Sequence, residues 1–193
     1  MQKRGELKIT PCTVHGKPIH AIPRLVMTSK DKLSHQNWEH EITRGYCYTT
    51  LYKTGLLTGY RSKWSDDERD DFAKRHKVYF DSHFDLKGID HTFFLEVDMG
   101  TEYWEGDLND KVENYAGLMQ SLPQVPMYAL FVTDVKSNGE ILTRLKAFGK
   151  CFTKYGRKQN FLVTTIDKFL ETPLGEIWGS ERLTSPASLT DLP

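Results

Sequence analysis

Three strand-like apolar runs separated by two helical patterns most constrain the fold of this chain. The runs are His91 to Met99, Tyr128 to Thr133 and Phe161 to Thr165. Apolar residues recur at spacings of three and four from Leu108 toward Pro123 and again from Gly139 to Phe152. Because a strand–helix–strand connection crosses over the sheet, this order predicts that some of the strands pair in parallel.

The sequence before these runs predicts a helix and two further strands. The segment from His35 to about Lys53 has a helical period, with Ser34 as its cap and Gly55 at its end. Strand-like runs follow at Leu56 to Lys63 and Lys77 to Leu86, and a glycine-containing turn leads on to His91. Three successive strands therefore pair antiparallel. The whole pattern predicts an α/β domain with a mixed central sheet flanked by helices.

The predicted domain covers residues 34–179. Residues 1–33 contain three prolines and lack any sustained period, so they are expected to form an extended arm. Residues 180–193 are rich in Ser, Thr and Pro, and a loose tail is expected there. The chain has 193 residues, which is enough to bury a substantial core as one domain.

Charge and cysteine content bear on the binding partners and on the cellular compartment of the protein. Basic and acidic residues both number 26, so the summed field cannot hold a polyanion, and nucleic-acid binding must use local patches. Lys74 to Lys77 and Lys150 to Lys158 are candidate patches, although such charge runs are more often solvated faces. The chain has no apolar stretch long enough to span a membrane. Its three cysteines lie far apart and form no disulfide framework, so the protein is expected to reside in a reducing cytoplasm.

Carboxylates near the middle of the chain form the most informative group. In an alternating strand Glu96 and Asp98 point to the same face, and Asp81 on a neighbouring antiparallel strand can join them. Three carboxylates would suit Mg²⁺ or Mn²⁺, which prefer oxygen ligands. The alternative is that Glu96 and Asp98 lie on a solvent-exposed strand face. The apolar run before them favours a strand buried on both faces, where the acids need a metal or a basic partner.

Three residues on predicted helices extend this group. Lys111 follows the strand and is placed to offer a cation near the carboxylates, where it can stabilise charge on a phosphate. His35 and Glu41 lie on the first helix and are candidates to complete the pocket. Each has an ordinary alternative, since lysines are usually exposed and helical His and Glu residues are usually surface or capping groups.

These residues together resemble the motifs of one protein family. The run FFLEVDMGTE, Phe93 to Glu102, followed by KVENY, Lys111 to Tyr115, resembles replication-relaxation proteins, whose hallmark is similar to FFLEVDRGTE followed by KxxxY. Further points of resemblance are His35 with Glu41, Trp64 with Glu68, Phe80-Asp81-Ser82, and Thr172-Pro173-Leu174-Gly175 up to Trp178.

The resemblance implies a restriction-endonuclease-like core of the PD-(D/E)XK type and a role in replication and relaxation of plasmid or mobile-element DNA. It also implies that Asp81 and Glu96 bind metal and that Glu41 is a helical acid of the site. Asp98 stands where the nuclease lysine is expected. Either Lys111 replaces that lysine from the helix, or the site binds DNA or metal without cutting.

Two functions of different kinds follow. The first is metal-dependent phosphodiester cleavage of DNA, with Asp81, Glu96, Asp98, Lys111, Glu41 and His35 around the site. The second is a non-catalytic accessory role, in which the same fold binds DNA or a replication or mobilisation protein. A third interpretation is a partner surface around Tyr103-Trp104, because adjacent exposed aromatic residues often mark contact sites.

Overall fold

The computed structural model describes eight stretches of the chain, which fall into two compact units, Met1–Thr43 and Arg44–Pro193. Each unit is described by itself. The described stretches are residues 12–14, 17–19, 35–62, 76–100, 104–134, 138–155, 160–179 and 186–193. Among these residues, no helix is long and apolar enough to cross a membrane.

The first unit contains a small hairpin and the beginning of a long helix. Strands β1 (Cys12–Val14) and β2 (Lys17–Ile19) pair antiparallel, where the sequence predicted only an extended arm. Helix α1 (His35–Lys53) has the predicted bounds and continues into the second unit, while its predicted cap, Ser34, lies outside the described residues. Gly55 follows the helix in a left-handed conformation, with φ of 70°, as expected of a helix-ending glycine.

The second unit is built on a five-stranded sheet. In chain order its strands are β3 (Leu57–Ser62), β4 (Ser82–Leu86), β5 (Thr92–Asp98), β6 (Met127–Thr133) and β7 (Phe161–Thr165). They lie side by side in the same order. The first three strands pair antiparallel and the last three in parallel, so the predicted mixed sheet is confirmed.

Helices connect the parallel strands. A π-helical turn, Trp104–Leu108, leads into α2 (Asn109–Ser121), which joins β5 to β6. Helix α3 (Asn138–Lys154) joins β6 to β7, and the short α4 (Ile166–Glu171) follows β7 directly. The first two helices were predicted, whereas α4 was not. Its six residues are too few to show a helical period.

Side chains from the two faces of the sheet form two separate apolar clusters. Phe94 of β5 packs with residues of α2 and α3, including Val112 and Phe148. Its neighbour Phe93 points the other way and packs in a second cluster that includes Leu51 of α1. Strand β5 is thus buried on both faces, as its near-continuous apolar sequence predicted.

Strand β4 is shorter than predicted. It begins at Ser82, whereas the sequence pattern suggested an extended run from Lys77. Lys77 has a positive φ of 55°, a left-handed conformation that breaks an extended strand. Residues 78–81 therefore approach β4 as irregular backbone.

The expectation of a loose tail is wrong for residues 186–193. Leu189 is fully buried and belongs to the same apolar cluster as Trp178. The backbones of Trp178 and Ala187 exchange two hydrogen bonds, 2.7 and 3.2 Å long. The Ser- and Thr-rich composition concealed these anchoring contacts, because one buried leucine and one backbone bridge leave no periodic pattern.

Candidate functional site

Glu96 and Asp98 lie on the same face of β5, as strand alternation predicted. Both side chains are buried, with residue exposures of 2% and 3%. This burial excludes the alternative in which the two acids occupy a solvent-exposed strand face. A buried carboxylate needs charged or hydrogen-bonding partners, and the two acids find them on different helices.

Glu96 is held by two residues of α2. The Tyr115 hydroxyl donates a hydrogen bond of 2.6 Å to Glu96 Oε1, and Lys111 Nζ lies 3.2 Å from Glu96 Oε2. Lys111 and Tyr115 are four residues apart, so they project from the same side of the helix. The predicted approach of Lys111 to the carboxylates is present in the structure.

Asp81 completes this group from the irregular segment that precedes β4. Its backbone N–H donates to Leu95 O at 3.2 Å, which places it just before β4 and beside β5. Its side-chain Oδ2 accepts a hydrogen bond of 2.8 Å from the Val97 N–H. We call Asp81, Glu96, Lys111 and Tyr115 the Glu96 site.

The electrostatics of the Glu96 site favour a carboxyl group that titrates near neutrality. Burial raises the pKa of Glu96, the Lys111 ammonium lowers it, and the Asp81 carboxylate raises it again. The hydrogen bonds from Tyr115 and Lys111 lower it further, and the net pKa is about 7. Burial, followed by the charge of Glu96, also raises the pKa of the Tyr115 hydroxyl well above its usual value.

Asp98 is engaged by a different set of residues. Arg144 of α3 donates from Nε to Asp98 Oδ2 at 2.7 Å and from Nη2 to Oδ1 at 2.5 Å. The Thr133 hydroxyl donates to Oδ2 at 2.8 Å, and the Asp134 N–H donates to the Asp98 backbone carbonyl at 2.7 Å. Asp98 is therefore a partner of Arg144, and the sequence-based picture of Asp98 as a metal ligand beside Glu96 does not match this geometry.

The remaining predicted residues lie in the first unit or outside the described residues. His35 begins α1 in the first unit. Glu41 lies in the same unit, with its side chain 44% exposed and 3.8 Å from His40 Nδ1. Their role in a pocket with Asp81 stays a prediction. Outside the described residues lie Trp64, Glu68 and Tyr103.

Arg144 is the residue near the candidate site that sequence reasoning missed. The sequence indicated that buried acids on β5 require a metal or a basic group, but it did not say which basic residue. Arg144 lies 46 positions after Asp98, on a helix whose relation to β5 depends on the tertiary fold. Among the arginines and lysines of α3, Arg144 is the buried one, and the helical pattern that places Phe148 in the core places it there too.

A groove of about 600 Å³ lies on another part of the second unit. Its walls include apolar residues of α3 and β7, among them Leu145 and Val163. Three lysines also line it: Lys146, Lys150 and Lys168. The basic segment predicted at Lys150 to Lys158 thus contributes its first residue to a concave surface.

Comparisons with known proteins do not assign a family. No protein-family model matches the chain, and no curated protein matches it. One solved structure that matches part of the chain weakly is the small subunit of the heterodimeric restriction endonuclease R.BspD6I, with a TM-score of 0.43 and 16% sequence identity. The match covers 69% of this chain and 68% of that one. A similarity this weak supports no conclusion about function, and the resemblance to replication-relaxation proteins stays a prediction.

The side chains of the Glu96 site determine which ligands a metal ion could bind there. Within the described part of the chain, no group of three or more His, Cys, Asp and Glu side chains is arranged to hold a metal ion. With Asp98 bound to Arg144, the carboxylates that remain as candidate ligands are those of Asp81 and Glu96, and a metal there would compete with Lys111 and Tyr115 for the oxygens of Glu96. Mg²⁺ is commonly bound through one or two carboxylates with water in its other positions, so two carboxylates are enough protein ligands for such an ion.

Proposed function

We propose that this chain is a DNA-processing protein whose second unit acts on a phosphodiester at the Glu96 site. The observation that carries the proposal is the meeting of Lys111 and Glu96, 3.2 Å apart, beside Asp81. A lysine next to two acids at the end of a buried strand supplies charges of both signs for phosphoryl chemistry, which depends on positioning and charge stabilisation.

Mg²⁺ or Mn²⁺ is part of this proposal, with Asp81 and Glu96 as its protein ligands. When bound, such an ion would neutralise phosphate charge and lower the pKa of a coordinated water. Lys111 would then be released from part of its contact with Glu96 and face the phosphate. Tyr115 would keep the Glu96 carboxylate oriented through its hydrogen bond to Oε1.

Asp98 has a supporting role in this proposal. Its carboxylate fixes Arg144 of α3 against the end of β5, which holds the strand that carries Glu96. At the position where the resemblance implies a nuclease lysine, this chain has an acid paired with an arginine. Lys111 from α2 is then the cation that serves the site, as the sequence suggested.

The biological setting follows from the resemblance alone. We propose that the DNA belongs to a plasmid or mobile element, that the process is its replication or relaxation, and that the work takes place in the cytoplasm. A replication or mobilisation protein is the expected partner. The restriction-endonuclease-like class of the core belongs to the same proposal.

A non-catalytic accessory role is the second candidate. The observation that favours it is that Glu96 and Asp98 have protein partners at all four carboxylate oxygens. Such acids are stable without a metal and can serve as structural pairs. In that case the fold would bind DNA or a replication partner without cutting.

Nicking of supercoiled plasmid separates the two functions. Wild type, Glu96→Gln and Lys111→Met are incubated with plasmid and Mg²⁺ or Mn²⁺, and metal binding is measured by calorimetry on the same samples. Glu171→Gln is the matched control, since Glu171 is exposed on α4. Nicking and metal binding that disappear in Glu96→Gln but persist in the control support cleavage. Folded wild type that neither binds metal nor nicks contradicts it and favours the accessory role.

A further inference from the structure

A groove forms where the sheet ends at β7. The outer side of this strand is paired with Gly179, because the backbones of Val163 and Gly179 exchange hydrogen bonds of 2.9 and 3.0 Å. Helix α3 covers one face of the sheet, with the rings of Phe148 and Phe152 against that of Phe131 on β6. The groove of about 600 Å³ lies between α3 and the segment at Gly179.

The floor of the groove is the border of the apolar core. Phe152 and Val163 line the groove and belong to the buried cluster that α3 shares with the sheet, and Leu145 packs against that cluster. Leu142 also lines the groove and is 61% exposed, and Ile177 adds an apolar side chain from beyond β7. A ligand with an apolar body would remove this surface from water, which favours binding.

Three lysines from two helices line the same groove. Lys146 and Lys150 are four residues apart on α3, so they lie on one side of that helix, and Lys168 comes from α4. All three residues are exposed. No acidic residue is among the described residues that line the groove. We call this concave surface, with its three lysines and its apolar floor, the lysine groove.

The charge of the lysine groove differs from that of the whole chain. The 26 basic and 26 acidic residues of the chain cancel, whereas the described lining of the groove carries three positive charges. Like charges four residues apart on a helix repel, and an anion bound beside Lys146 and Lys150 would relieve that repulsion. A cleft lined by one sign of charge also raises the local concentration of ions of the opposite sign. The groove is therefore suited to an anion.

The size and the lining of the groove favour a small molecule over a polymer. Small-molecule sites are concave, have volumes of roughly 300–1,000 Å³, and are lined mainly by apolar side chains with a few polar groups that fix the orientation of the ligand. The lysine groove has such a volume and such a lining. Contacts to DNA phosphates use cations but need no apolar floor, and an uncharged apolar ligand needs no lysines. A ligand that has both an apolar body and an acidic group matches the whole groove.

We propose that the lysine groove binds a small organic anion, whose apolar body lies on the floor and whose acidic group lies among the lysines. The groove is distinct from the Glu96 site, because none of the four residues of that site lines it. The proposal therefore adds a second site to the chain and does not depend on phosphodiester cleavage.

Two dyes with one aromatic body test this proposal. Anilinonaphthalene sulfonate carries an acidic group, and phenylnaphthylamine is the same body without the sulfonate. Fluorescence titration in EDTA at physiological salt is expected to show that wild type binds the sulfonate dye more tightly. In the variant Lys146→Gln/Lys150→Gln/Lys168→Gln, binding of the sulfonate dye should weaken about fivefold or more, and binding of the neutral dye should stay within about twofold.

Two further variants serve as controls. Lys53→Gln/Lys77→Gln/Lys87→Gln removes three exposed lysines outside the groove, so the net charge changes equally, and both dyes should bind as to wild type. Leu142→Asn removes apolar surface from the groove at an exposed position and is expected to weaken both dyes alike. Circular dichroism checks that each variant remains folded.

The outcomes keep this proposal apart from the cleavage proposal. Wild type that does not bind the sulfonate dye, or a groove variant that binds it no more weakly than the control variant does, overturns the proposal. Displacement of the dye by a short DNA strand would assign the groove to nucleic acid and would also overturn it. Glu96→Gln should bind the dye as wild type does. Dye binding that depends on the groove lysines, in a protein that never nicks plasmid, supports the groove and contradicts cleavage alone.

Discussion

Arg144 donates hydrogen bonds to both carboxylate oxygens of Asp98 across 46 positions of sequence. The pair is buried at the end of β5, with the Thr133 hydroxyl as a third contact. Asp98 thus joins β5, β6 and α3. The distinction between Asp98 and Glu96, which look equivalent in the sequence, leads to the first prediction.

Removal of one member of the Asp98–Arg144 pair is expected to destabilise the fold strongly. Arg144→Met leaves a buried carboxylate without its cation, and breaking a buried pair in this way costs about 3–5 kcal/mol. Urea unfolding at neutral pH measures the change in the free energy of unfolding. In the double variant Asp98→Leu/Arg144→Met both charges are gone, and most of the loss should be restored. A double variant as unstable as the single one would contradict this interpretation.

The stability of the metal-free protein is expected to depend on Glu96 between about pH 4.5 and 7. Because the folded pKa, about 7, lies above the usual 4.5, the folded state holds the proton more tightly than the unfolded state. The contribution of Glu96 is therefore fully present below pH 4.5 and is lost as pH rises through 7, by a few kcal/mol at most.

Urea unfolding in EDTA across this pH range measures that dependence. In Glu96→Gln this part of the pH dependence should disappear, because the amide does not titrate. Glu171→Gln, at an exposed position on α4, is the control and should retain the wild-type profile. Parallel profiles for wild type and Glu96→Gln would show that Glu96 titrates normally.

Tyr115→Phe is expected to weaken the Glu96 site without removing the ring from the core. The hydroxyl donates the 2.6 Å hydrogen bond to Glu96, and its loss leaves a buried carboxylate oxygen without that donor. A cost of roughly 1–3 kcal/mol follows at pH 8, where Glu96 is mainly ionised. The loss should be smaller at pH 5, where Glu96 is protonated; an equal loss at both pH values would point to packing of the ring.

Leu189→Ala is expected to destabilise the second unit although it lies near the end of the chain. Leu189 is fully buried with Trp178, and truncation of a buried leucine costs about 2–5 kcal/mol. Thermal or urea unfolding measures the effect, with the exposed Asp191→Ala as the control. A change within about 0.5 kcal/mol, as for a surface position, would support the loose tail that the sequence suggested.

The Cys47 thiol is expected to resist alkylation in the native protein. Cys47 is fully buried, and burial together with the charges of Asp81 and Asp134 raises its pKa far above the usual value. The thiolate is the reactive form, so iodoacetamide at pH 8 should modify Cys47 only after unfolding. Peptide mapping by mass spectrometry follows the reaction; rapid labelling of Cys47 in the folded protein would contradict the packing of α1 on the sheet.

Most of the secondary structure was predictable because the local patterns agree with the tertiary fold. The bounds of α1 and β7 match the prediction, since each has a clear period or apolar run and a defined end. The errors lie where tertiary contacts decide. Lys77 adopts a left-handed conformation that no pattern indicates, and Leu189 is buried through contacts with residues distant in sequence.

The candidate site was predictable only where its partners are close in sequence or in strand register. Strand alternation placed Glu96 and Asp98 on one face, and a helix after β5 placed Lys111 within reach of Glu96. The choice of Arg144 as the partner of Asp98 depends on how α3 crosses the sheet. A sequence pattern gives the direction of a side chain along its own element, but not which element covers it.

The ion pairs of β5 also affect the register of this strand in the sheet. On the face of β5 that α2 and α3 cover, the successive side chains are Phe94, Glu96 and Asp98. Phe94 contacts apolar residues, Glu96 contacts α2 and Asp98 contacts α3. A shift of the strand by one position would turn both acids into the opposite, apolar cluster, and a shift by two would leave one acid facing the wrong helix. Two different cations on two helices thus make one register of the central strand far more stable than the registers shifted by one or two residues.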